Sequence, residues 1–311
     1  MYHYRMAGLA ITSEIPLPSC MPLDAAPVPA DVLITLGPID GPVAEPNDLG
    51  ERWTVDADRF VWDIDGVGRL EAFDGRRLRL DPAAGVLLND ATPYLMGTTF
   101  AALLYQRGEM LLHASAVAWK GHAYLLCGTS GQGKSTLAAT LCAAGSELLS
   151  DDICRIEFGA DIMVHPDGRL LKLFASTVER LGWQHRRGGQ VLSGSNKYFV
   201  DPPRAAQVAL PLGGIYALGF GADATRPAID AMSPLEACDQ VLQRTYRRRL
   251  AYRLAGGRRM VGWGTELVRR HGMWRLSCPF DLDRLTETAA ILRAHWERGR
   301  PVDGSPARIA V

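Results

Sequence analysis

The sequence predicts an α/β fold: a phosphate-loop core built on a mixed sheet, preceded by a β-rich N-terminal domain. Three observations predict it. The 311 residues are 47% hydrophobic and 22% charged, the profile of a folded globular chain long enough for two domains. The first hundred residues carry short apolar segments cut by Asp/Gly turns. Residues 128–135 match G-x-x-x-x-G-K-[ST] between an apolar strand and a helix. We divide the chain into a β-rich domain over 1–97, a phosphate-loop domain over 98–298 and a tail over 299–311.

The elements follow in chain order. Residues 30–36, 52–55, 59–62, 68–73 and 76–80 read as strands, and Asp74-Gly75 reads as a tight hairpin turn. The Pro/Ala-rich stretch 16–29 reads as loop. Residues 98–107 have helical apolar spacing and end at Gly108. Residues 110–119 read as one strand, Lys120-Gly121 as a turn, and 122–127 as a second strand. An antiparallel pair therefore leads straight into the glycine loop, unlike a simple βαβ unit. A helix is expected over 136–144, closed by Gly145, then a strand over 147–150. Residues 209–219 read as a strand. Ser233-Pro234-Leu235-Glu236 reads as the capped start of a helix running to about residue 252, and 281–296 as another helix.

The 34 basic and 34 acidic side chains cancel, which argues against coating nucleic acid through bulk charge. Their distribution is uneven: residues 1–100 hold 7 basic against 15 acidic groups, and residues 181–311 hold 20 against 11. Such a split fits local solvation, two surfaces with different partners, or two surfaces that meet in a homo-oligomer. The six cysteines form no C-x-x-C pair and sit in apolar runs, as buried thiols of a reducing compartment do. No apolar segment suggests a signal peptide or a membrane span. The expectation is a cytoplasmic protein without a membrane partner.

The loop Gly128-Thr129-Ser130-Gly131-Gln132-Gly133-Lys134-Ser135 carries the chemistry. Its glycines let backbone N–H groups close around phosphate oxygens where a Cβ would intrude. Lys134 supplies a point charge for the outer phosphates, the Ser135 hydroxyl can ligate Mg²⁺, and Thr136 opens a helix whose N-terminus faces the anion. With only four lysines in the chain, a chance match is expected about 0.004 times. Asp151 and Asp152 follow at the carboxyl end of the next strand, where ligands collect in α/β sheets. Adjacent carboxylates there invite two tasks: one accepts a proton from an attacking hydroxyl, and the other holds Mg²⁺. No LSGGQ-type signature is present, which argues against a transporter ATPase.

His113-Ala114-Ser115-Ala116-Val117, the glycine loop and Ser150-Asp151-Asp152 together resemble the core of HPr kinase/phosphorylase. Leu104-Tyr105-Gln106-Arg107-Gly108, Val164-His165-Pro166 and Leu276-Ser277-Cys278-Pro279 resemble the HPr-kinase-like proteins found with ribosomally made peptides, including the lasso peptide kinases. The resemblance spans residues 101–175 and thins beyond them. It implies a fold like the nucleotide-binding part of phosphoenolpyruvate carboxykinase, ATP and Mg²⁺ as cofactors, and phosphoryl transfer to a Ser or Thr hydroxyl of a peptide or small protein. It further implies Asp151 as the base, Asp152 with Ser135 at the metal, Lys134 on phosphate and His113 near the γ-phosphate. The Leu-Glu-Ile-Arg-Gly signature of HPr kinase/phosphorylase is absent; residues 165–173 stand in its place, with Arg169 and Lys172 as candidate phosphate or substrate contacts.

Two rival readings use the same residues: a kinase of a small hydroxyl metabolite, and an ATP-sensing module without turnover. The basic stretch Arg244-Thr245-Tyr246-Arg247-Arg248-Arg249 with Arg258-Arg259 reads either as a solvated helix face or as a dock for an acidic peptide or phosphate. Lys197 stands out where arginine is the default base. His185, His271 and His295 lack metal-ligand spacing and read as surface residues.

Overall fold

The computed structural model describes all residues except 25–28, 44, 46, 48–50, 57, 169, 221–225, 280, 281 and 299–311. Arg169, the start of the helix expected from 281 and the expected tail lie outside the described residues.

The first sheet comprises β1 (Tyr2–Met6), β2 (Leu9–Ser13), β3 (Val32–Leu36), β4 (Arg52–Val55), β5 (Arg59–Ile64), β6 (Gly68–Phe73) and β7 (Arg77–Pro82), in the order β1-β2-β3-β7-β6-β5-β4. The β6–β7 hairpin turns on Asp74 (φ 51) and Gly75 (φ 68), the pair of positive φ values that matches strand twist. Period-two alternation puts Val32, Ile34, Leu70, Ala72, Leu78 and Leu80 on one buried face. That face packs on α1 (Leu88–Tyr94) and α2 (Phe100–Gln106), through Ala91, Phe100, Leu103 and Tyr105. A π turn, Leu95–Thr99, joins the two helices after Pro93, which withholds one N–H from the ladder. The helical run thus begins at Leu88, ten residues before the start expected from spacing, and crosses residue 97 without a break.

The second sheet contains β8 (Met110–Leu112), β9 (Ala114–Trp119), β10 (His122–Cys127), α3 (Lys134–Ala143) as its first covering helix, β11 (Glu147–Asp151), β12 (Cys154–Phe158) and β13 (Ile162–Val164). A small three-stranded sheet follows from β14 (Leu171–Phe174), β15 (Arg187–Gln190) and β16 (Lys197–Val200), with α4 (Ala175–Arg180) after β14. The chain then adds β17 (Leu210–Phe220), β18 (Ala228–Ala231), α5 (Pro234–Gln243), α6 (Arg248–Ala255), α7 (Gly257–His271), β19 (Trp274–Cys278) and α8 (Leu285–Arg298). The main path is β11-β9-β10-β17-β13-β12-β8, and β19 with β18 joins at β17. It is a mixed sheet: β9 runs antiparallel to β10 and β11, while β10–β17 and β17–β19 are parallel.

Both faces of this sheet are covered. Ala114, Ala116, Leu125 and Ile215 face Ala237, Val241 and Leu267 of α5 and α7. Val117, Leu126 and Tyr216 face Leu137, Leu141, Leu292 and Trp296 of α3 and α8. This explains the unbroken apolar reading of β9 and β10.

Two expected elements are corrected. The strand read over 110–119 breaks at His113, because β8 pairs with β12 whereas β9 pairs with β10 and β11. The helix read from Ser233 ends at Gln243, and a second helix starts at Arg248. Between them Thr245 bridges Leu112, Tyr246 N–H donates to Leu111 O at 3.0 Å, and Arg247 takes φ 46. The cap itself is as read: the Ser233 side chain accepts from Glu236 N–H. His295 is a further correction: it is half-buried, 2.8 Å from the Tyr216 hydroxyl and edge-on to Trp274.

Candidate active site

Three strand ends and one helix start converge on the site. The loop from Gly128 to Gly133 joins β10 to α3, and Gly131 (φ 82) and Gly133 (φ 67) take the left-handed backbone that glycine adopts without cost. A Cβ at Gly128 would lie 2.8 Å from Gln132 Oε1, and that oxygen accepts from Thr129 N–H at 2.6 Å. Ser130, Gly131, Gly133, Lys134, Ser135 and Thr136 line a cavity of about 410 Å³ with His113, Asp151 and Asp152.

Lys134 is 7% exposed. Its amine donates to Gly128 O and Thr129 O, both at 3.0 Å, and lies 2.9 Å from His113 Nε2. Burial pulls the Lys134 pKa down; the Asp152 and Asp151 charges oppose that pull. With the ammonium donating, His113 Nε2 accepts, so Nδ1–H faces Asp152: Oδ1 at 3.1 Å and the main-chain carbonyl at 3.2 Å. The break between β8 and β9 is what turns His113 into the cavity. Its N–H donates to Arg244 O at 2.7 Å, and its ring lies 5.8 Å from that of Tyr246.

The two aspartates occupy different environments. Asp151 ends β11 in register with Ser115 of β9 and is 2% exposed. Its Oδ1 accepts from Ser115 Oγ at 2.7 Å and Ser135 Oγ at 2.8 Å, and its Oδ2 from Lys172 N–H at 3.2 Å. Asp152 takes φ 86 and leaves the strand. Its side chain, 29% exposed, reaches His113 Nδ1 and, at 3.6 Å, Lys172 Nζ. The carboxylate beside the loop serine is therefore Asp151, although the resemblance implies Asp152 as that serine's companion at the metal.

Several contributors were not legible as site residues. Ser115 holds Asp151 from the neighbouring strand. Asp167, 3% exposed, accepts from Asp151 N–H at 2.8 Å and Ser150 Oγ at 3.3 Å, fixing the turn that carries both carboxylates. Lys197, which the sequence did single out as one of only four lysines, lines the cavity beside Phe174, 5.5 Å from the ring centre. Three of the four lysines, Lys134, Lys172 and Lys197, thus face one cavity, and Lys120 pairs with Glu297 elsewhere. The scarcity of lysine was the available signal. Burial pushes the Cys127 thiol up to about 12, with the Lys134 and Arg244 charges opposing it, and Arg244 Nε is buried without a hydrogen-bond partner among the described residues.

The residues fit a nucleotide phosphate and Mg²⁺. The loop has two glycines where a side chain would be strained, and a ten-residue helix starts at its end. Among the described residues no cluster of three or more His, Cys, Asp or Glu is placed to hold a metal. A serine hydroxyl and one carboxylate are instead the sparse hard-oxygen set that Mg²⁺ uses together with phosphate oxygens.

No protein-family model matches the chain, and no curated protein matches it. Among solved structures it is similar to the Hpr(Ser) kinase/phosphatase from Coxiella burnetii, with 12% identity and a TM-score of 0.35, over 60% of this chain and 97% of that one. Among the described residues no helix is long and apolar enough to cross a membrane.

Proposed function

We propose that this chain is a kinase that moves the γ-phosphoryl group of ATP to a Ser or Thr hydroxyl of a peptide or small protein. The acceptor we favour is a precursor peptide in the making of a lasso or other ribosomal peptide, as the motif resemblance implies. One observation carries the reading: a carboxylate, Asp152, stands on the wall of the glycine-loop cavity between His113 and Lys172, one residue from Asp151 at Ser135.

The geometry supports exchanging the two carboxylate roles implied by the resemblance. Asp151 is buried, and its oxygens already accept from two hydroxyls and an amide. It and Ser135 would hold Mg²⁺, which when bound neutralises charge on the transferring phosphate. Asp152 is the more exposed of the two and lines the cavity, where an acceptor hydroxyl would sit. As the acceptor oxygen bonds phosphorus and the bridging bond to ADP breaks, the hydroxyl proton passes to Asp152. His113 donates Nδ1–H to Asp152 and accepts from Lys134, which orients both groups. Lys172 and Lys197 add point charges opposite the loop.

The test compares Asp152→Asn with Asp151→Asn, using ATP, Mg²⁺ and the short peptides encoded beside the gene, read by mass spectrometry. Asp152→Asn should lower kcat about 10²–10⁴-fold with nucleotide affinity nearly unchanged. Asp151→Asn should raise the Mg²⁺ concentration needed for half-maximal rate. If Asp152→Asn turns over within about tenfold of wild type, the base assignment is wrong. If no peptide gains phosphate from the wild-type protein, the acceptor class is wrong.

A further inference from the structure

The cleft where α6 and α7 meet the N-terminal sheet holds two cavities remote in sequence from the glycine loop. One measures about 560 Å³ and the other about 280 Å³, and they share Trp53, Arg248 and Arg249 in their walls. Shared walls make them one continuous groove. Its chemistry is unlike that of a core. Tyr252 is 62% exposed and Val261 54% exposed, and both line the larger cavity beside Trp53 and Met260. No Asp or Glu lines that cavity among the described residues. Arg248 and Arg253 line it too, and neither has a hydrogen-bond or ion-pair partner among the described residues. The carboxylate of the smaller cavity, Glu51, is engaged by Arg247 at 3.7 Å and by Trp53 Nε1 at 3.1 Å.

We infer that this groove docks an extended acidic peptide segment carrying an apolar or aromatic side chain, away from the residue that is phosphorylated. Charge complementarity selects the sign: unpaired guanidiniums beside an apolar floor call for carboxylates flanking a buried anchor. Size favours a polypeptide over a compact metabolite: the two cavities that share these walls hold about 560 and 280 Å³, against about 410 Å³ at the glycine loop. The groove also connects to the site: the segment leading into α6 bonds β8, the strand just before His113, through Tyr246 N–H to Leu111 O at 3.0 Å.

This inference rests on the reading of the chain as a peptide kinase, but its test does not need transfer. The probe is a fluorescein-labelled peptide with Glu at alternate positions around a Phe-Leu pair, measured by anisotropy without nucleotide. A control peptide carries Lys for every Glu. Wild-type protein should bind the acidic probe, more weakly as salt rises, and should not bind the control. Arg248→Glu/Arg253→Glu should weaken binding at least tenfold, while its affinity for a fluorescent ATP analogue and its thermal midpoint stay unchanged. Arg248→Gln/Arg253→Gln should give a smaller loss of the same kind. The inference is overturned if the acidic probe does not bind, or binds the charge-reversed variant as tightly as wild type. Competition by ATP would place the probe in the transfer cavity and overturn it too, as would a single-stranded oligonucleotide that binds the groove more tightly than the acidic probe. Binding that survives while no peptide is phosphorylated would sink the kinase reading alone.

Discussion

The glycine-loop cavity and the α6–α7 groove hold their charges in opposite ways. In the cavity, Lys134 is engaged by His113 and two carbonyls, Asp151 by two hydroxyls and an amide, and Asp152 by His113 and Lys172. In the groove, Arg248 and Arg253 stand at an exposed apolar floor without such partners among the described residues. A site that stabilises a transition state gains from dipoles fixed before the reaction. A surface that recognises a chain gains from side chains able to adjust. The difference teaches which changes each region tolerates.

The largest expected effect would break the comparison at its rigid end. Lys134→Met removes the buried cation and should lower single-turnover phosphoryl transfer about 10²–10³-fold. The groove double variant should leave transfer to a short peptide lacking the acidic segment unaffected. Equal losses in both would mean that the two regions act as one site. A stability pair comes next. Leu126, fully buried between β10 and the α3–α8 layer, should cost about 2–5 kcal/mol as Leu126→Ala by urea titration. Val261→Ala, on the groove floor, should fall within about 0.5 kcal/mol.

The smallest effect concerns pH. Burial lowers the pKa of His165 and of His295 below the ordinary 6.5; Arg155 and Arg298 add to this, and Glu157 opposes it at His165. The unfolded chain then binds more protons as pH falls, so stability is retained above about 6.5 and declines as pH drops through that value toward the folded ones. Neither histidine lines the cavity or the groove. Replacing both with Gln should flatten the fall of the urea midpoint between pH 7.5 and 5.5 without altering acidic-probe binding at pH 7.5.

The glycine loop, its flanking strand and helix, and the β6–β7 turn were legible because each is a local pattern: spacing, periodicity, or two residues that accept positive φ. The break at His113 was not, because residues 110–112 and 114–119 are equally apolar and differ only in which strands they pair with. Ser115 and Asp167 reach the site across the sheet, 36 and 16 residues from Asp151, distances over which no periodic signal runs. The groove was half legible. Its arginines cluster in sequence, but its tryptophan comes from a strand of the other sheet, and only folding places Trp53 beside Arg248.

The backbone at Asp152 has a further consequence. A non-glycine residue at φ 86 sits in a conformation that costs on the order of 1 kcal/mol or more. Glycine would occupy that turn with less strain, so drift toward higher stability runs against the carboxylate. If the proposed transfer is what holds a carboxylate there, homologues that lack the activity but keep the fold should carry a glycine at this one position, with the glycine loop upstream still intact.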